Sequence, residues 1–352
     1  MRWPVDKAQQ WYDEQPWLVG CNFIPSTAIN QLEMWQADTF DPDTIDRELG
    51  WAADLGFNVV RVYLHDLAYE QDAEGFLARM NRFLDIAARH NIRTLFVLFD
   101  DCWQRDPKPG KQPEPWPGVH NSGWVESPGL PQLERYSTDA ALRQRLETYV
   151  KAVLTLFRND ARVSMWDLYN EPGGWWYARG AKPGEYERGQ TKELCLPLLR
   201  DVYAWARSVG PDQPLTTCHF GIPEVQAIAL DQSDILTFHH YGDVNGLKNV
   251  IHDLRERGDG RPIICTEYMA RTSGSTFKTH LPVFLESHVG AINWGFVAGK
   301  SMTIYPWDSW DTPGNTPEPD VWFHDVLRQD GTPFEPEETA FIRNVTQQAN
   351  QS

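Results

Sequence analysis

The sequence has no CxxC pair. Its five cysteines, Cys21, Cys102, Cys195, Cys218 and Cys265, are widely spaced and odd in number. That argues against a disulfide framework and against a zinc site. Cys21, Cys218 and Cys265 fall in strand-like runs and read as small buried hydrophobes. Positive charge is also short. Lys and Arg total 32 against 49 Asp and Glu, for a net charge of -17. Such a balance argues against a nucleic-acid backbone or an anionic membrane as partner. No apolar run approaches the length of a membrane span. The opening residues, MRWPVDKAQQWYDEQPW, lack the apolar stretch of a secretory leader. The expectation is a reduced, cytoplasmic protein, or a secreted or periplasmic one if a leader has been removed. There is no GxGxxG and no GxxxxGK[ST], so no strand is followed by a phosphate-cradling loop. No internal repeat, low-complexity linker or domain break is visible across residues 1–352, which predicts a single domain.

Tryptophan is abundant. There are 16, and several sit among Pro and Gly: PWPG (115–118), GGWWY (173–177) and YPWDSW (305–310). Loops carry sites whereas cores lie in regular elements. These clusters therefore read as aromatic platforms for stacking on sugar faces, rather than as core padding.

Apolar and amphipathic runs alternate. Strands are predicted at 18–24, 58–64, 93–99, 163–171, 215–220, 235–241, 262–268 and 291–297. Amphipathic segments at 41–57, 74–90, 138–157 and 191–210 have helical spacing, the first with Asp41 or Asp43 as cap and Pro42 in its first turn. Further helices are predicted near 223–230, 247–257, 277–288 and 319–328, with a surface helix after Pro336. A long Pro/Trp/Gly-rich loop fills 100–137, and loops of that length are usually functional. Eight near-continuously apolar strands alternating with helices predict a parallel (β/α)8 TIM barrel with long aromatic-rich βα loops. An open doubly wound sheet is the rival, and the missing phosphate loop counts against it.

In such a barrel the chemistry sits at the C-terminal ends of strands. Two glutamates terminate apolar strands there, Glu171 in WDLYNEP and Glu267 in IICTEY. A strand-end glutamate alone is as readily a cap or an ion pair. Two, on the fourth and seventh strands, face each other across a small barrel. Glycoside hydrolysis needs such a pair, one protonated and one ionised.

WDLYNEP resembles the Asn-Glu-Pro signature of the retaining clan A glycoside hydrolases, which are (β/α)8 barrels. Among them the chain most resembles glycoside hydrolase family 5, the cellulase and mannanase family. FHHY is similar to that family's strand-six His-x-Tyr, NWGF to its strand-eight Trp and VVRV to its strand-two Arg. The resemblance spans the chain from first strand to last helix. It implies Glu171 as acid/base, Glu267 as nucleophile and Arg61 and Tyr241 as partners of Glu267. It further implies Asn170 on the sugar 2-hydroxyl, His239 orienting the acid/base or the sugar, and Trp294 as the floor of the cleavage site. Taken singly, Arg61 reads better as a barrel-interior ion pair, His239 as a satisfied core histidine and Trp294 as packing; jointly, in this order, they favour the functional reading. The implied activity is retaining cleavage of β-linked gluco-, manno- or xylo-configured oligosaccharides, with no metal and no cofactor.

The chain departs from that pattern in places. It has Asp100-Asp101-Cys102-Trp103 where the family often has a His, and His65-Asp66 where many relatives have a Pro. These positions are expected to meet substrate sugars, and Asp101, Trp175 and Trp307 join the candidate binding residues. Three bulky loops around the mouth predict a pocket, which favours exo action or short substrates. Two other classes remain: a carbohydrate-binding barrel without turnover, and a metal-dependent hydrolase. The first would have shown itself by loss of a glutamate. The second would call for HxH on the first strand, which reads GCNFIPS.

Overall fold

A computed structural model describes residues 1–174, 192–311 and 317–349. The strands are β1 (Val19–Asn22), β2 (Val59–Tyr63), β3 (Arg93–Val97) and β4 (Val163–Asp167). Then come β5 in two pieces (Leu215–Thr216 and Cys218–His219), β6 (Leu236–His240), β7 (Ile263–Tyr268) and β8 (Gly290–Asn293). Every neighbouring pair is parallel. The first piece of β5 pairs with β4 and the second with β6, while β8 pairs with β1. The sheet thus closes into an eight-position (β/α)8 TIM barrel.

Runs such as VVRVY and IICTEY are buried along their whole length. This is the consequence of a parallel sheet covered on both faces. One apolar cluster lies between sheet and helices. A second fills the barrel, with Val59, Leu95, Val97, Met165, Ile264 and Ile292. The helix Val5–Asp13 was not foreseen. Trp3 and Ala8 join the inner cluster beside Leu18 and Ile235, and the Trp3 amide donates to Asp234 Oδ1 at 2.7 Å. Both Leu18 and Asp234 lie just before strands, so the N-terminus stops the end of the barrel opposite the strand C-termini.

The helices Pro42–Asp54, Ala73–Arg89, Ala140–Phe157, Lys192–Val209, Pro223–Gln232, Val244–Arg257, Phe277–Glu286 and Pro336–Ala349 follow the sequence expectation. Asp41 is the cap of the first, accepting from the Thr44 amide. The segment 319–328 is not a helix. Its amides bond outward instead: Phe323 to Ile304 O, His324 to Thr303 O, and Val326 and Leu327 to Phe296 O. Arg271 binds the carbonyls of Trp322 and Asp325. Tertiary partners satisfy this backbone better than its own turns would, and tertiary context overrides propensity. Among the described residues no helix is long and apolar enough to cross a membrane.

Candidate active site

The site is built around Arg61. Period-two alternation on β2 turns Val59, Arg61 and Tyr63 to the barrel interior. The Arg61 side chain is fully buried, and a charge there must be paired. Its Nη2 donates to Asp167 Oδ2 and Asn170 Oδ1, both at 2.7 Å. Its Nη1 donates to Asn22 Oδ1 and Glu267 Oε1, both at 2.9 Å. One guanidinium therefore fixes residues from β1, β4 and β7 at once.

Glu267 is aimed by an irregularity. Between β6 and β7 the register steps from Phe238↔Cys265 to His239↔Glu267, so β7 carries one extra residue, Thr266. A bulge of this kind re-aims a side chain and is common beside active sites. Glu267 Oε1 also accepts from Tyr63 OH at 2.8 Å, and Oε2 from Tyr241 OH at 2.7 Å. Burial by itself would raise this carboxyl. His239 and Arg61 beside it, with the two tyrosine hydroxyls, overcome that and hold it below the ordinary carboxylate range. Burial pushes both phenols up, so they stay protonated donors.

Glu171 stands on a tight turn after β4. Its φ is 43°, left-handed and uncommon for a side-chain-bearing residue. Three contacts hold it there. Its amide approaches Cys218 Sγ at 3.3 Å, its carbonyl accepts from Gly174 N at 2.7 Å, and Gly173 N donates to Asp101 Oδ2 at 2.7 Å. Gly173 has φ 75°, and a Cβ on Gly174 would sit 2.7 Å from Glu171 O. The two glycines of NEPGG are thus backbone requirements. Glu171 Oε1 lies 2.6 Å from His239 Nδ1, and Oε2 meets Cys102 Sγ at 3.3 Å. Burial, with the neighbouring carboxylates, pushes the Cys102 thiol up, so it is a neutral donor. One oxygen of each glutamate and a nitrogen of His239 lie within 4.8 Å of one another.

These groups face a cavity of about 220 Å³. Glu171, Glu267, Asn170, Tyr241, Trp294 and Trp307 all line it. Trp294 is held edge-on by Tyr63 and Trp124, with ring centroids 5.8 and 5.5 Å away. The loops after β3 and β8 are bound together. Trp103 stacks on Trp310 at 5.4 Å, Trp310 Nε1 donates to His120 O at 2.7 Å, and Asn121 N donates to Ser301 O. Trp310 therefore joins loop to loop, whereas Trp103 and Trp307 both reach the cavity.

Asp100, expected to meet a sugar, is instead buried and accepts from Trp124 Nε1 and Asn170 Nδ2. Three further expectations do not hold. Asp101 is buried behind the site and accepts from Tyr169 OH and Gly173 N, so no sugar reaches it. His65 caps the short helix Asp66–Gln71, and Asp66 pairs with Arg145 at 2.8 Å. All three face the helix layer or the turn behind Glu171 rather than the mouth. Trp175 lies outside the described residues. Cys102 and Trp103, expected at the end of the third strand, do line the cavity. Conversely, Tyr63, His120, Asn121, Trp124 and His324 were missed. Only Tyr63 had a signal: it sits two residues after Arg61, on the same face of β2.

The overall shape matches known structures. An endo-1,4-β-mannanase from Rhizomucor miehei superposes with a TM-score of 0.57 at 13% identity, covering 97% of each chain. The GH5_18 structure from Streptomyces cattleya in complex with GlcNAc gives 0.61 at 11%, over 96% of this chain and 81% of that one. The chain has the fold of the clan A, family 5-like glycoside hydrolases. An exo-β-1,4-mannosidase from Opitutaceae bacterium strain TAV5 gives 0.58 at 18% identity, over 94% of this chain and 60% of that one. No protein-family model and no curated protein matches the sequence. The likeness is thus one of fold, and the case for chemistry rests on the residues in the cavity.

Proposed function

We propose that this protein is a retaining β-glycoside hydrolase, with Glu171 as general acid/base and Glu267 as nucleophile. The observation that carries the reading is the close approach of the two carboxylates, within 4.8 Å at their nearest site atoms, inside one aromatic cavity. Retaining enzymes hold the pair about 5–5.5 Å apart, whereas inverting ones leave about 6.5–9.5 Å for a water.

The neighbours divide the labour. Glu267 must be ionised to attack the anomeric carbon. Arg61, Tyr63 and Tyr241 donate to both its oxygens and favour that state. Glu171 gives its proton to the departing oxygen, so that bond breaks as Glu267 forms the ester. It then takes a proton from water, which attacks the same carbon and releases Glu267. His239, 2.6 Å from Glu171, orients the carboxyl. Asn170 is fixed by Arg61 on its oxygen and by Asp100 Oδ1, 2.9 Å from its nitrogen. Its amide is thereby pre-aimed at a sugar 2-hydroxyl. Trp294 supplies the floor on which the ring stacks.

Glu171, His239 and Glu267 also have the spacing of metal ligands. The Arg61 guanidinium already occupies Glu267 Oε1, and a divalent cation there would face that fixed charge. That observation favours the glycosidase over the metal-dependent reading.

A cavity of about 220 Å³, flanked by the loops after β3 and β8, favours a terminal sugar or a short oligosaccharide. Solved structures of like fold include mannanases, an exo-β-1,4-mannosidase and a complex with Manb1-4GlcNAc. Manno-configured β-1,4 substrates therefore come first in the test, then gluco and xylo. Wild type and Glu267→Gln are incubated with these oligosaccharides and their aryl glycosides, and the product anomer is followed by NMR. The expected result is β-anomer formed first, with turnover lost in the variant. First-formed α-anomer overturns the retaining mechanism. Sugar binding without turnover overturns the hydrolase reading in favour of a binding protein.

A further inference from the structure

The cavity has a second polar face that the two-carboxylate chemistry does not use. His120, Asn121 and His324 line it. They are 1%, 1% and 0% exposed. His120 Nδ1 lies 2.8 Å from Tyr305 O, and His324 Nδ1 bonds Met269 O. A carbonyl only accepts, so each Nδ1 carries the ring proton. Burial lowers the pKa of both imidazoles, His120 to about 4, so both rings are neutral. A neutral ring protonated at Nδ1 bears a lone pair on Nε2. His324 Nε2 has no hydrogen-bond partner, and neither has either side-chain atom of Asn121. Buried polar atoms are rarely left so, and the residues that carry these line the cavity, which points to a ligand. The two imidazole centroids are 5.2 Å apart. His324 packs against Tyr241, whose hydroxyl holds Glu267, with centroids 5.6 Å apart. This face therefore lies on the nucleophile's side, where the glycone sits, and not on the side of the leaving group.

We propose that His120, Asn121 and His324 form a wall that reads the hydroxyls of the terminal sugar and selects neutral sugars whose hydroxyls are free. The inference rests on the glycosidase reading above. The two ring nitrogens are fixed acceptors that welcome O–H donors, and the Asn121 amide offers an acceptor oxygen and the wall's donor NH2. A uronate carboxylate would meet two lone pairs with Glu267 close by, and is refused. The C2 hydroxyl belongs to Asn170, which leaves those at C3, C4 or C6.

The test uses 4-nitrophenyl β-D-mannoside and β-D-glucoside, their 3-, 4- and 6-deoxy analogues, and the β-D-glucuronide. In wild type, loss of at least one of these hydroxyls is expected to lower kcat/KM by about tenfold or more, since it strands a buried acceptor. The glucuronide is not cleaved. In His324→Phe and His120→Phe the deoxy penalty shrinks to within about twofold, while His→Gln, which keeps an acceptor, restores part of it. Deoxy penalties unchanged in folded Phe variants overturn the proposal. So does a wild type that treats all three deoxy analogues like their parent, a result that needs no variant to fold. If no glycoside is turned over at all, the hydrolase reading fails separately. Tryptophan-fluorescence titration with mannose, glucose and their deoxy forms then decides the wall on binding alone, by the same comparison.

Discussion

Tyr63→Phe removes one oxygen and leaves the ring. That ring keeps its edge contacts with Trp124 and Trp294, so packing is preserved. What is lost is the O–H donated to Glu267 Oε1 at 2.8 Å, and the acceptor that Arg61 Nη1 meets at 2.5 Å. A hydrogen bond to a charged group contributes about 1.5–3 kcal/mol, and one pKa unit corresponds to about 1.4 kcal/mol. The bond favours ionised Glu267, so its loss raises that carboxyl. Arg61 and Tyr241 remain and limit the rise. The assay is kcat/KM against pH on the best aryl glycoside. Its acid limb reports ionisation of the nucleophile in free enzyme. The limb is expected to move to higher pH, and the plateau to fall by about 10- to 100-fold. Glu267 is lowered on folding, so it contributes stability above the unfolded carboxyl value that is lost as pH falls through the folded one. Tyr63→Phe trims that contribution, and its melting temperature drops more near neutrality than in acid. An unmoved acid limb, with a plateau within twofold of wild type, would refute the claim that Tyr63 holds the nucleophile ionised.

Other residues give equally direct tests. Gly174→Ala places a methyl 2.7 Å from Glu171 O and 3.1 Å from its Cβ. Glu171, the proposed acid/base, must shift, and a misplacement near 1 Å costs about 100-fold, so kcat/KM should fall by that order in a folded protein. Unchanged activity would mean the turn has slack. Burial first, and the charges of Asp101 and Asp100 next, raise Glu126 above the ordinary carboxylate range, and burial raises Asp101 to about 7. For such groups the folded state binds the proton more tightly. Their contribution is complete below the unfolded value and is lost as pH rises toward the folded one. Glu126→Gln keeps the shape without the ionisation. In urea unfolding it should gain on wild type between pH 5 and pH 8, and parallel curves would refute the assignment.

Much of the architecture was legible along the chain. Near-continuous apolar runs at regular spacing are local, and they placed all eight strands within a few residues. Strand ends follow from those runs, so Glu171, Glu267, Asn170, His239, Tyr241 and Trp294 were found by position. The misassigned acids show where local signals stop. Asp101 and Asp66 also follow strands, but a step of one residue turns a side chain from the mouth to the helix layer. Only neighbours on other segments decide which way it points. The same holds for 319–328, whose helix-like spacing lost to hydrogen bonds with residues 296, 303 and 304.

By itself, then, the sequence determined the barrel and the carboxylate pair, because periodicity and strand ends are set by neighbours in the chain. Tertiary structure alone decided what tunes that pair. Tyr63 and Tyr241 reach Glu267 from β2 and from just beyond β6, Cys102 and His239 reach Glu171 from opposite sides, and His120 meets His324 across about two hundred residues of chain. Electrostatics and hydrogen bonding depend on distance in space, and that distance exists only once the barrel has closed.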